Sequence, residues 1–68
     1  MNLHWEDGFS IKVETMGDEV VISANREGLL SLANHLRGLA EEEPGTHLHL
    51  DAYNSLEDGS KELVLVKI

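Results

Sequence analysis

The chain has no cysteine. Disulfides and thiolate metal sites, on which many small domains rely, are therefore excluded. Basic residues are scarce as well. Five Lys and Arg stand against thirteen Asp and Glu, for a formal charge of -8. Nucleic acids and anionic membranes are held by clustered Lys and Arg, so such a field repels both. It favours a cationic partner and fast, salt-sensitive association with it, and it also serves solubility. No apolar run approaches the length of a membrane span, about 20 residues. Met1–Glu6 lacks the basic segment and apolar stretch of a signal peptide, which makes a cytoplasmic setting the expectation. There is no G-x-S-x-G motif, no phosphate loop and no thiol nucleophile. No enzyme and no cofactor are expected from these residues.

Sixty-eight residues make one small domain, residues 1–68, without internal repeat or linker. A chain of this size buries only about 60% of its unfolded surface. It has little room for a pocket of about 300 Å3. Good packing, self-association or a histidine-based metal site remain as sources of stability.

Phe9, Ile11 and Val13 alternate with Ser10, Lys12 and Glu14, which predicts a strand over about residues 9–15. Gly17 offers the positive φ of a tight turn. The β-branched run at Val20–Ile22 predicts a second strand over about 19–24, central or covered on both faces. Leu3 and Trp5, upstream, suit a short extra strand or an anchored tail. Asn25 suits a helix N-cap, with Glu27 in the favourable first turn. Leu29, Leu32, Ala33, Leu36, Leu39 and Ala40 form an apolar stripe on a helix over about 26–42. Pro44 and Gly45 stop it. Gly38 lies opposite the stripe, where it reads as tolerated drift, the alternative being that its bare backbone permits close approach of another chain. Strands over about 46–51 and 61–67 follow, separated by a polar loop. The expected fold is α+β in the order ββαββ: a four-stranded, mainly antiparallel sheet with one amphipathic helix on one face. The second faces of strands two and four are apolar, and a homodimer would cover them.

His47, His49 and Asp51 fall at i, i+2 and i+4 and so share one strand face. Two imidazoles and a carboxylate are the ligand types of zinc and non-haem iron sites. With no third histidine close in sequence, the reading adopted is a solvated or partner-facing strand, and no metal is assigned. The loop that follows holds Tyr53, Leu56, Glu57 and Asp58, an aromatic, an apolar and two acidic side chains suited to partner contact. Glu41, Glu42 and Glu43 are secondary candidates. The alternative keeps Leu56 under the loop, Tyr53 capping the core edge, and Asn54 or Ser55 bonding the backbone.

The run from Val21 to Leu36, the His47–Asp51 alternation, the Tyr53–Ser60 loop and Glu62–Leu65 together resemble the immunity protein 32 family over about residues 19–68. The resemblance implies an α+β bacterial antidote that sits in the cytoplasm, binds a cognate toxin encoded beside it and blocks it. The negative charge of the chain would suit a basic toxin.

Overall fold

A computed structural model describes residues 1–68. Ile11–Met16 forms β1, Glu19–Ala24 β2, Arg26–Ala40 α1, His47–Leu50 β3 and Leu63–Val66 β4. The fold is α+β in the order ββαββ. β1 and β2 pair antiparallel, with Ile11 opposite Ala24 and Met16 opposite Glu19. Their two-residue turn places Gly17 at φ 62°, a conformation that only glycine adopts freely. β3 and β4 pair antiparallel, with His47 opposite Val66 and Leu50 opposite Leu63.

The four strands are divided between two two-stranded sheets. Residues 57–61 stitch the two hairpins together. Glu57 N donates to Ile11 O at 2.9 Å, and Lys61 N donates to Val13 O at 2.8 Å. Val13 N donates to the Ser60 hydroxyl at 3.1 Å. The two acceptors on β1 are two residues apart, whereas their donors are four apart. A turn closed by Ser60 N and Glu57 O takes up the difference. Ile11 O and both backbone groups of Val13 are thus satisfied without a regular ladder.

The core joins Ile11, Val13, Leu32, Leu50 and Leu56, with Trp5, Phe9, Ala24 and Leu63 packed against it. β2 is neither central nor covered. It pairs with β1 alone, and Val20 and Ile22 remain 68% and 43% exposed. The helix starts two residues beyond β2, and the packing around Gly28 joins it to the Ala24 end of that strand.

Asn25 closes the helix and locks it to the chain entering β1. Its Oδ1 accepts from Gly28 N at 2.8 Å and Ser10 N at 3.0 Å, and its Nδ2 donates to Gly8 O at 2.9 Å. Gly28 is packed tightly at this junction. A Cβ there would lie 2.5 Å from Ser10 O and 2.9 Å from Ile11 Cγ1. At the other end, the helix stops at Ala40, with Glu41 as its C-cap.

The buried face of α1 consists of Gly28, Ser31, Leu32, His35 and Leu39. This differs from the expected stripe by roughly a quarter turn at 100° per residue. Leu29 and Leu36 are 55% and 50% exposed, and Ala33 and Ala40 also face solvent. The cause is the segment Met1–Phe9, an anchored tail that runs along the polar flank of the helix. Glu6 N donates to Ser31 Oγ at 2.8 Å, and Asn34 Nδ2 donates to His4 O at 3.4 Å. Trp5 packs edge-on against His35, with ring centroids 4.2 Å apart, and stacks on Phe9 at 4.5 Å. Gly38 does face a close approach, but from this same segment: a Cβ there would lie 3.3 Å from Met1 Cγ.

Candidate recognition surface

β3 alternates strictly: Leu48 and Leu50 are buried at 8% and 3%, and His47 and His49 are exposed. On β4, Leu63 and Leu65 turn inward, while Val64 and Val66 stay 43% and 55% exposed. The register sets His47 opposite Val66 and His49 opposite Val64. The outer face of this hairpin is therefore one contiguous patch of two imidazoles and two valines, since opposed residues on a strand pair touch. The imidazoles meet edge-to-face at 5.1 Å. His47 Nδ1 lies 3.1 Å from Gly45 O, and His49 Nδ1 lies 3.3 Å from Glu62 Oε2. Both partners are acceptors, so each Nδ1 carries the hydrogen and each Nε2 is left without a protein partner.

Asp51 does not join this face. It lies just past β3, and its Oδ1 accepts from Tyr53 N at 2.9 Å and Asn54 N at 3.1 Å. It builds the loop instead of presenting a ligand. Nowhere do three or more His, Asp or Glu side chains gather as a metal site would require.

The loop is held along its whole length. Asn54 Oδ1 accepts from Asp51 N at 3.0 Å, and its Nδ2 donates to His49 O at 2.9 Å. Asp51 O accepts from the N–H of Leu56 at 2.8 Å. Leu56, expected among the partner contacts, is 5% exposed and belongs to the core. It fills space beneath the loop, where its transfer from water stabilises the fold. Glu57 is also engaged within the chain, its Oε1 accepting from Ser10 Oγ at 2.9 Å. Asp58 is exposed. Tyr53 is 99% exposed on this braced loop.

Glu41–Glu43 lie before β3, and Tyr53 and Asp58 lie after it, so the two acidic groups fall toward opposite ends of the hairpin. Glu41 caps the helix, Glu42 Oε2 lies 3.7 Å from the Met1 amino group, and Glu43 O accepts from Thr46 N at 3.1 Å. The role of Ser60 was not legible from residue type, because a serine in an acidic turn has many possible partners.

Two open hollows exist, and neither lies on this face. One of about 290 Å3 is lined by His4, Trp5, Glu6, Asp7, Arg26 and Glu27. The other, about 210 Å3, lies between His4, Glu6 and the helix at Leu30, Ala33, Asn34 and Arg37. No helix is long and apolar enough to cross a membrane.

Fold and surface together define a small acidic α+β domain that presents side chains outward instead of enclosing a cleft. The chain belongs to the immunity protein 32 family, whose sequence pattern matches residues 19–68. That span holds β2, α1, β3, the loop and β4; the N-terminal segment and β1 precede it. No curated protein and no solved structure matches the chain.

Proposed function

We propose that this chain is an antidote that acts in the cytoplasm by binding and blocking a cognate bacterial toxin, without catalysis of its own. Membership of the immunity protein 32 family supports this reading. The observation that carries it to a surface is Tyr53, 99% exposed on a loop fixed by Asp51, Asn54 and Leu56. Ordered aromatic side chains held clear of the surface bind at low entropic cost, and tyrosine is enriched among the residues that dominate interface energies. The strand that leads into this loop carries His47 and His49, which share their face with Val64 and Val66; Glu62 lies 3.3 Å from His49, and the chain carries a net charge of -8. The partner surface this suits is cationic with an apolar centre, as on a toxin that grips phosphates. Nucleic acid and anionic membrane are poor partners for a chain of charge -8.

Growth rescue tests the role. The gene next to the one encoding this chain is induced in a heterologous host, with and without the chain. Killing that the chain relieves supports the antidote reading; killing that persists in its presence counts against it. Self-association is a second reading, favoured by the exposed Val20, Ile22, Leu29 and Leu36. Light scattering that finds only monomer at tens of micromolar would remove it.

A further inference from the structure

His35 is the one buried polar side chain that the fold leaves unserved. It is 0% exposed, and neither Nδ1 nor Nε2 has a hydrogen-bond partner in the protein. The residue sits on α1, and the Trp5 indole packs edge-on against its ring at 4.2 Å. Its cover includes the N-terminal segment, which lies outside the strands and the helix. That segment makes no ladder. Glu6 N on Ser31 Oγ, Asn34 Nδ2 on His4 O, Asn25 Nδ2 on Gly8 O, and the packing of Trp5 and Phe9 against each other and the core hold it.

We infer that Met1–Phe9 is an acid-released strap and that His35 is its trigger. A neutral imidazole tolerates the sealed site, although its polar atoms go unpaired. An imidazolium does not, because it carries two N–H donors and a charge, and the site supplies no acceptor and no counter-ion. Opening the strap lets solvent reach the ring at the cost of the Trp5 and Phe9 packing and a few hydrogen bonds. Opening the helix would sacrifice its ladder and the core beneath it. The segment is therefore the element that yields first.

The charged groups along the seam act in the same sense or are already engaged. Positive charge on His4, on the strap, repels a His35 cation. Glu6 is turned to His4 at 3.2 Å, and Arg26 pairs with Glu27 at 3.5 Å near the start of the helix. Glu42, beyond the helix end, faces the Met1 amino group. Asp7 lines the outer hollow beside Arg26, and Arg37 lines the other. None of them bonds to a ring nitrogen of His35. Burial foremost, and the charge of His4 second, hold the His35 pKa below its ordinary value of 6.5.

Trp5 is the only tryptophan and so reports the strap directly. Its emission is followed as the pH is lowered from 8 to 4, with far-UV circular dichroism on the same samples. The strap predicts a red shift of Trp5 emission with a midpoint below about 6.5 while the far-UV signal persists. His35→Phe, which keeps the ring but not the charge, removes that transition, and His4→Gln retains it. Constant Trp5 emission, an unchanged midpoint in His35→Phe, or simultaneous loss of both signals overturns the proposal. Should His35→Phe fail to fold, ring NMR of the unaltered protein decides. The His35 ring must titrate below the ordinary histidine value of 6.5, in step with line broadening in residues 1–9. Titration at or above 6.5 refutes it.

Discussion

Glycine-to-alanine substitutions at Gly28 and Gly38 should act in opposite directions, although both residues lie in α1. In an exposed helix interior the exchange stabilises by about 1 kcal/mol, because alanine gives up less backbone freedom. At Gly38 the added methyl would meet Met1 Cγ at 3.3 Å, the flexible side chain of a segment outside the strands and the helix. That neighbour can move aside, so about 0.5–1 kcal/mol of the gain should survive. At Gly28 the methyl would lie 2.5 Å from Ser10 O and 2.9 Å from Ile11 Cγ1. Neither atom is a free end. Ser10 O accepts from Asn25 N at 3.1 Å, and Ile11 is 0% exposed at the centre of the core. Overpacking of this kind costs about 1–3 kcal/mol, and a strained hydrogen bond adds about 1 kcal/mol. Set against the helical gain, Gly28→Ala should lose about 1–3 kcal/mol. Each kcal/mol moves Tm by about 4–8 °C in a domain of this size. Thermal melts followed by circular dichroism should place Gly38→Ala a few degrees above the unaltered chain and Gly28→Ala well below it. A Gly28→Ala protein that melts at or above the unaltered chain would refute the argument that this junction is closed to a Cβ.

Leu56→Ala should destabilise by about 2–5 kcal/mol in urea titration, since it empties a core position; Tyr53→Ala should stay within about 0.5 kcal/mol, since Tyr53 packs against almost nothing. Asn25→Ala removes a cap that also ties Gly8 and Ser10 to the helix, and a loss of about 2–3 kcal/mol in the same assay is expected. Stability should also fall in mild acid. His35 has a lowered pKa in the folded state, so the unfolded chain binds the proton first. The stability associated with this group is complete above about pH 6.5 and declines by up to about 1.4 kcal/mol per unit below it, until the folded-state pKa is reached. Melts at pH 7.5, 6 and 5 check the slope, which His35→Phe should flatten.

Local signals carried the legible part of this fold. The His47–Leu50 alternation defines a strand and both of its faces, and Asn25 marks the helix start, because each depends on a few neighbouring residues. The buried side of α1 was not legible in that way. Leu29 and Leu36 have the stronger apolar claim, yet Ser31 and His35 go inside because Met1–Phe9 packs on their flank, a choice made by a segment about 25 residues away. The division of the strands into two hairpins depends on Ser60 replacing a backbone acceptor, which no period reveals. Within the loop, Tyr53 and Leu56 are three residues apart and both suited to burial. Only the turn built by Asp51 and Asn54 decides which one turns into the core.

Neutralisation of a toxin by direct contact through Tyr53 and the β3–β4 outer face is the proposal on which the functional reading rests. Its most direct test is the Kd between the purified toxin and three proteins: the unaltered chain, Tyr53→Ala, and Val66→Lys, the last two first shown to be folded. The account predicts tight, salt-sensitive binding by the unaltered chain and a loss of about 30-fold or more in each variant, the size expected when a dominant contact is removed or a cation is set against a basic surface. Equal Kd values in all three proteins would contradict it.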